Sequence, residues 1–137
     1  MAVIKMGIEA LANGAVSFGN YEAADKIKVD DFACAGDVYQ VRTHREVTRL
    51  ERNGKLLMET IPGAAVHEMT VSDMQIRFAA EGLEDTQVTM ELEAEKEYRL
   101  TVDDINVGNI ETNRSGKVTF SLELGNGQKA VKIDKLI

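Results

Sequence analysis

The stretch YQVRTHREVTRLERNGKLLMET, residues 39–60, holds four arginines (Arg42, Arg45, Arg49, Arg52) and His44 just ahead of the dipeptide Asn53-Gly54. In a helix, spacings of three, four and three would line all four guanidinium groups along one face. In a strand, neighbours turn to opposite faces and the cluster divides. Asn53-Gly54 favours the strand, because both residue types accept the positive φ of a type I′ turn and mark a tight hairpin. A two-residue loop pairs Arg52 with Lys55, Leu50 with Leu57, Thr48 with Glu59 and Val47 with Thr60. Arg45 and Arg49 then point one way and Arg42 and Arg52 the other, with Glu46, Glu51 and Glu59 placed to neutralise parts of each pair.

The rest of the chain reads in the same way. Turn signals recur at Asn13-Gly14, Gly19-Asn20, Gly36-Asp37, Pro62-Gly63, Ser72-Asp73, Asp103-Asp104, Ser115-Gly116 and Gly125-Asn126-Gly127. Between them lie short segments of alternating apolar residues, the pattern of an all-β protein. The first half is expected to carry strands at 3–10, 15–21, 26–32, 38–43, 46–52 and 55–61; a short helix over 3–11 is the alternative, since Ile4, Ile8 and Leu11 recur at helical spacing. About seven strands are expected from Ala65 to Asp134, enough for a small immunoglobulin-like sandwich.

Two further hairpins follow from cross-strand matching. Pairing 88–94 with 98–102 sets Leu92 against Leu100, Met90 against Val102 and Glu93 against Arg99. Pairing 118–124 with 129–133, across a loop from Gly125 to Gln128, sets Leu122 against Val131 and Phe120 against Ile133. The lone proline, Pro62, and Gly63 make the best internal boundary. The expected architecture is therefore an N-terminal β-hairpin region (1–62) packed with a C-terminal immunoglobulin-like sandwich (63–137), either as two units or as one integrated domain.

Bulk properties narrow the function. The 137 residues carry a net charge of −7. Residues 1–62 hold eight basic against nine acidic residues, and 63–137 hold eight against fourteen. A nucleic-acid or anionic-membrane binder needs a basic face, and the only basic stretch is diluted by its own acids. No apolar run approaches the roughly 20 residues that span a bilayer. A single cysteine, Cys34, cannot form an internal disulfide and fits a reducing compartment, so a cytoplasmic location is expected. His44 and His67 have no second ligand at metal spacing, and no phosphate loop or calcium loop occurs. No metal or cofactor is expected. Asp30-Asp31 and Asp103-Asp104 read as turn or strand pairs, Glu91, Glu93 and Glu95 as a solvated ridge, Cys34 as a buried thiol, and Met58, Met69, Met74 and Met90 as core fillers.

Three long runs carry a resemblance: SFGNYEAADKIKVDDF (17–32), GDVYQVRTHREVTRLERNGKLLMETIPGAAV (36–66) and EYRLTVDDINVGNIETNRSGKVTFSLEL (97–124). Together they resemble a family of small bacterial proteins of about this length that commonly carry the label endosialidase. The likeness is best around Asn53-Gly54, Pro62-Gly63 and Gly116-Lys117. It departs at Asp104, where the glycine of an Asp-Gly turn is expected. The label implies a sialidase-type glycoside hydrolase, which needs three converging arginines, a tyrosine nucleophile with an acidic partner, and an acid. Arg45, Arg49, Arg99 and either Tyr98 or Tyr39 are the residues available for such roles. Yet that chemistry is normally mounted on a propeller of roughly 40 residues per blade, too large for this chain. The chain also has no tryptophan.

A non-enzymatic role is accordingly the leading expectation. Sheet edges must be capped, charged or paired, so the chain is expected to form homo-oligomers, with higher-order assembly as the less favoured extension. The alternative is a module for a glycan or protein ligand, held by Arg42, Arg45, Arg49, Arg52 and Arg99.

Overall fold

The computed structural model describes residues 2–125 and 127–136. Thirteen strands are present among them: β1 (Ile8–Ala10), β2 (Val16–Phe18), β3 (Ile27–Cys34), β4 (Asp37–Thr43), β5 (Thr48–Arg52), β6 (Lys55–Ile61), β7 (Ala65–Val71), β8 (Gln75–Glu81), β9 (Thr86–Glu91), β10 (Glu97–Val102), β11 (Ile105–Glu111), β12 (Lys117–Leu122) and β13 (Lys129–Lys135). Seven of them lie between Ala65 and Lys135, and there is no helix among the described residues. Only Ile8–Ala10 of the expected 3–10 segment is a strand.

The strands form two packed antiparallel sheets, a β-sandwich. One is seven-stranded, in the order β1-β2-β7-β8-β13-β10-β11; the other is six-stranded, in the order β12-β9-β6-β5-β4-β3. In the smaller sheet Val41, Leu50, Met58, Met90 and Val118 stand side by side across five strands. In the larger one Leu100, Ile133 and Ile76 make the facing kind of row. All of these are buried, and burial of such rows from both inner faces is the main stabilising term. Met58, Met69 and Met90 belong to this core, whereas Met74 is 44% exposed.

Two expected hairpins do not form. β9 pairs with β6 and β12 in the smaller sheet, while β10 pairs with β11 and β13 in the larger. Likewise β12 lies in the smaller sheet and β13 in the larger. Leu92–Leu100, Met90–Val102 and Glu93–Arg99 are therefore not cross-strand partners, nor are Leu122–Val131 and Phe120–Ile133. The chain changes layer at each of these connections. Both walls of a sandwich need an inward apolar row, so matching alternation cannot tell strands that lie side by side from strands that belong to opposite walls. Asn126, within the expected Gly125–Gln128 loop, is outside the described residues.

Pro62-Gly63 does not separate two layers. The larger sheet takes β1 and β2 from before it, and the smaller takes β9 and β12 from after it. Gly63 is fixed by close packing: its N–H donates to the Arg45 carbonyl at 2.9 Å, and a side chain there would collide with the His44 carbonyl.

A buried hydroxyl chain joins the smaller sheet to these connections. Asn20 N–H donates to Thr43 Oγ1 at 2.8 Å, Thr43 and Thr48 hydroxyls meet at 2.8 Å, and Thr48 donates to the Ala64 carbonyl at 2.8 Å while accepting from Ala64 N–H at 3.2 Å. With Thr43 donating to Thr48, each of these groups is satisfied, as buried polar groups require.

Candidate functional site

The Asn53-Gly54 turn forms as its residue types dictate, with φ of 52° and 82°. Arg52 pairs with Lys55 as expected. The register then slips. Glu51 faces Leu56, Leu50 faces Met58, Arg49 faces Glu59 and Thr48 faces Thr60, so Leu57 is an extra residue in a β-bulge. Leu57 and Met58 are both buried, and the bulge lets two consecutive apolar residues reach the core. The expected Leu50–Leu57 and Thr48–Glu59 partners are replaced for this reason.

The expected division of the arginines changes too. Arg42 and Arg49 stand directly opposite each other on β4 and β5, which puts them on the same, outer face of the smaller sheet. Each has its own acid: Arg42 meets Asp30 at 2.9 Å, and Arg49 meets Glu59 at 2.8 Å and Glu51 at 3.4 Å. Partial burial works to lower the Arg49 pKa, but hydrogen bonds to Glu59 and Glu51 outweigh it and the net shift is upward. Arg52 pairs across from buried Tyr39 instead. Burial raises the Tyr39 pKa, and Arg52 partly offsets this. Arg45 lies in the exposed loop between β4 and β5, its N–H donating to the Ala23 carbonyl at 3.1 Å. Arg99 is on β10, in the other sheet.

The structure therefore brings together Arg42 and Arg49 alone of the five. The residues available for sialidase chemistry also lie apart. Arg49 is on the outer face of one sheet and Arg99 is exposed on the other. Tyr98 is buried with its hydroxyl accepting from Glu93 N–H at 3.2 Å, and Tyr39 is buried in the opposite wall. Cys34 is buried, with Sγ 3.7 Å from the Gly14 carbonyl. No cluster of three or more metal-ligating side chains occurs among the described residues.

The features that stand out instead were hidden in the sequence. One is β11, an edge strand of the larger sheet with nearly every residue exposed; Ile105 is 65% and Val107 55% exposed. The other edges are guarded. β1 has three residues, β3 is bulged and carries Lys28, Asp30 and Asp31, and β12 begins with Lys117. β11 reads INVGNIE, with one charge at its end and one bulge, at Val107, where Leu100 faces Gly108 and Thr101 faces Asn106. The second is a pair of cations, Arg77 and Lys132, opposite each other on β8 and β13. No alternation or turn signal marks either feature, because both arise from which strands become neighbours.

No protein-family model, curated protein or solved structure matches the chain.

Proposed function

We propose that the chain is a non-enzymatic structural protein that associates with copies of itself through the β11 edge, and that it does so in the cytoplasm. The observation that carries this reading is the exposed, nearly uncharged strand INVGNIE at the end of the larger sheet. An edge of this kind presents unpaired N–H and C=O groups and apolar side chains, the features from which intermolecular sheets are built. Antiparallel pairing of β11 with itself places the two Glu111 carboxylates at opposite ends of the contact, so no like charges face each other. Such a contact is isologous and closes at a dimer; higher-order assembly requires a second edge, and β12, guarded only by Lys117 at its start, is longer than β1 and, unlike β3, has no register shift. The immunoglobulin-like character is one of layering, two antiparallel sheets around one core.

A ligand-binding role for the arginine hairpin has less to support it, because Arg42 and Arg49 already have acidic partners. Light scattering on the eluting protein tests the leading reading. The wild-type chain is expected to run as a dimer or larger, and Val107→Lys as a monomer with unchanged unfolding. A wild-type monomer of 15.1 kDa at high concentration overturns it.

A further inference from the structure

The outer face of the larger sheet has a hollow of about 380 Å³. Its floor is made by Ala79 on β8 and Ala130 on β13, which are register partners. Small side chains there leave open the space that taller neighbours enclose. The next row across the sheet is Thr70, Arg77, Lys132 and Thr101, each facing the next on the adjacent strand. Two hydroxyl side chains thus flank two adjacent cations, and all four line the hollow.

Like charges directly opposite on paired strands destabilise a sheet. The arginines of the smaller sheet avoid this cost with Asp30 and Glu59. Arg77 and Lys132 have no ion-pair partner among the described residues. Asp134, two positions along β13 from Lys132, is engaged instead by Gln75 Nε2 at 2.6 Å, and His67 at the margin is paired with Glu81 at 3.2 Å. The cation pair therefore lacks the counter-charge that the comparable row on the other sheet possesses. Glu68, set at φ 53° in the β7 bulge, and Asp104 stand at the rim. These carboxylates repel an extended polyanion but accept hydrogen bonds from hydroxyl groups.

We propose that this hollow binds a small oxyanion, a phosphate ester or carboxylate with a hydroxylated body. Arg77 and Lys132 hold the charged end through charge-assisted hydrogen bonds, Thr70 and Thr101 donate to it, and Glu68 and Asp104 receive the hydroxyl groups. The volume exceeds that of a bare ion, which is why a body is included.

The test uses the full chain with glycerol phosphate and gluconate as probes, against sodium chloride at matched ionic strength to separate binding from screening. Binding to the folded state raises Tm saturably, and the Ala79 and Ala130 amide resonances are expected to move with the same midpoint. Arg77→Gln and Lys132→Gln are each expected to weaken binding by about tenfold or more, since each removes a charge-assisted bond. Lys132→Glu replaces the like-charge pair by an opposite one, so it is expected to raise Tm without ligand and abolish the response. Preference for one probe assigns the anion as phosphoryl or carboxylate. A response to both probes no greater than to sodium chloride, or one that survives in both Arg77→Gln and Lys132→Glu, overturns the proposal.

Discussion

The Thr48 side chain ties its strand to the connections around it. Its hydroxyl accepts from Ala64 N–H and donates to Ala64 C=O while meeting Thr43. Thr48→Val keeps the shape and leaves the Ala64 groups buried without partners, so unfolding in urea should show a loss of about 1–3 kcal/mol. Asp104 is the opposite case. The Asp103-Asp104 turn joins β10 to β11 with φ of 50° and 65°, so both residues adopt the left-handed region without a glycine. Asp104→Gly is expected to be neutral to stabilising, by up to about 1 kcal/mol, as the removed Cβ strain exceeds the added freedom of the unfolded chain. At Gly54 (φ 82°), where a side chain would meet open space, Gly54→Ala should cost about 1–2 kcal/mol through the backbone alone. One ion pair titrates. The Glu93 carboxylate accepts from Lys135, which pulls its pKa below 4.5 and lifts that of Lys135 above 10.5. The contribution of the pair is thus fully present between these values. It fades as pH falls through the depressed Glu93 pKa or rises through the raised Lys135 pKa. The acid-side and alkaline-side steps that this pair adds to Tm measured against pH should be absent in Glu93→Gln, and they should shrink with salt because the pair is exposed to solvent.

At the scale of elements, strand positions were legible because period-two alternation and turn chemistry act locally. Val118, Phe120 and Leu122 are buried while Lys117, Thr119 and Ser121 are exposed, as their alternation requires. Asn53-Gly54 marks a real turn for reasons contained in its own dihedral preferences, whereas Gly63 is required by close packing against the His44 carbonyl. Partner choice was legible across the tight Asn53-Gly54 turn, where β5 pairs with β6, but not across the longer connections. β9 matched β10 as well on paper as it matches β12 in the fold, because the apolar row of each serves equally for a neighbour or for the opposite wall. The Leu57 bulge escaped for a related reason. Consecutive Leu57-Met58 fits either face until the core has selected both. The candidate site suffered most: of the clustered arginines only Arg42 and Arg49 come together, and both have acidic partners, whereas the facing cation pair without counter-charge comes from residues 77 and 132.

For the whole molecule, interleaving of the two sheets makes the halves interdependent. Cutting at Pro62-Gly63 removes β2 from β7 and β6 from β9, leaving apolar inner faces without their opposing strands. The fragment 63–137 is expected to show poor amide dispersion and no cooperative melting, and mixing it with 1–62 should restore both. A sharply dispersed spectrum from the isolated fragment would contradict this. Net charge acts at the same scale. A chain at −7 repels its copies at low salt, so association through β11 should strengthen as salt screens that repulsion.

The strand latest in chain order, β13, sits between β8 and β10 and pairs with both. During synthesis the N-terminal and C-terminal flanks of the larger sheet therefore wait as separate open-sided pieces, each with a bare inner margin, until residues 129–135 leave the ribosome and close the gap. Any event that stalls translation before that point releases a nascent chain with two adhesive margins in place of one finished sheet, and quality-control factors would meet it as a sticky, protease-sensitive species.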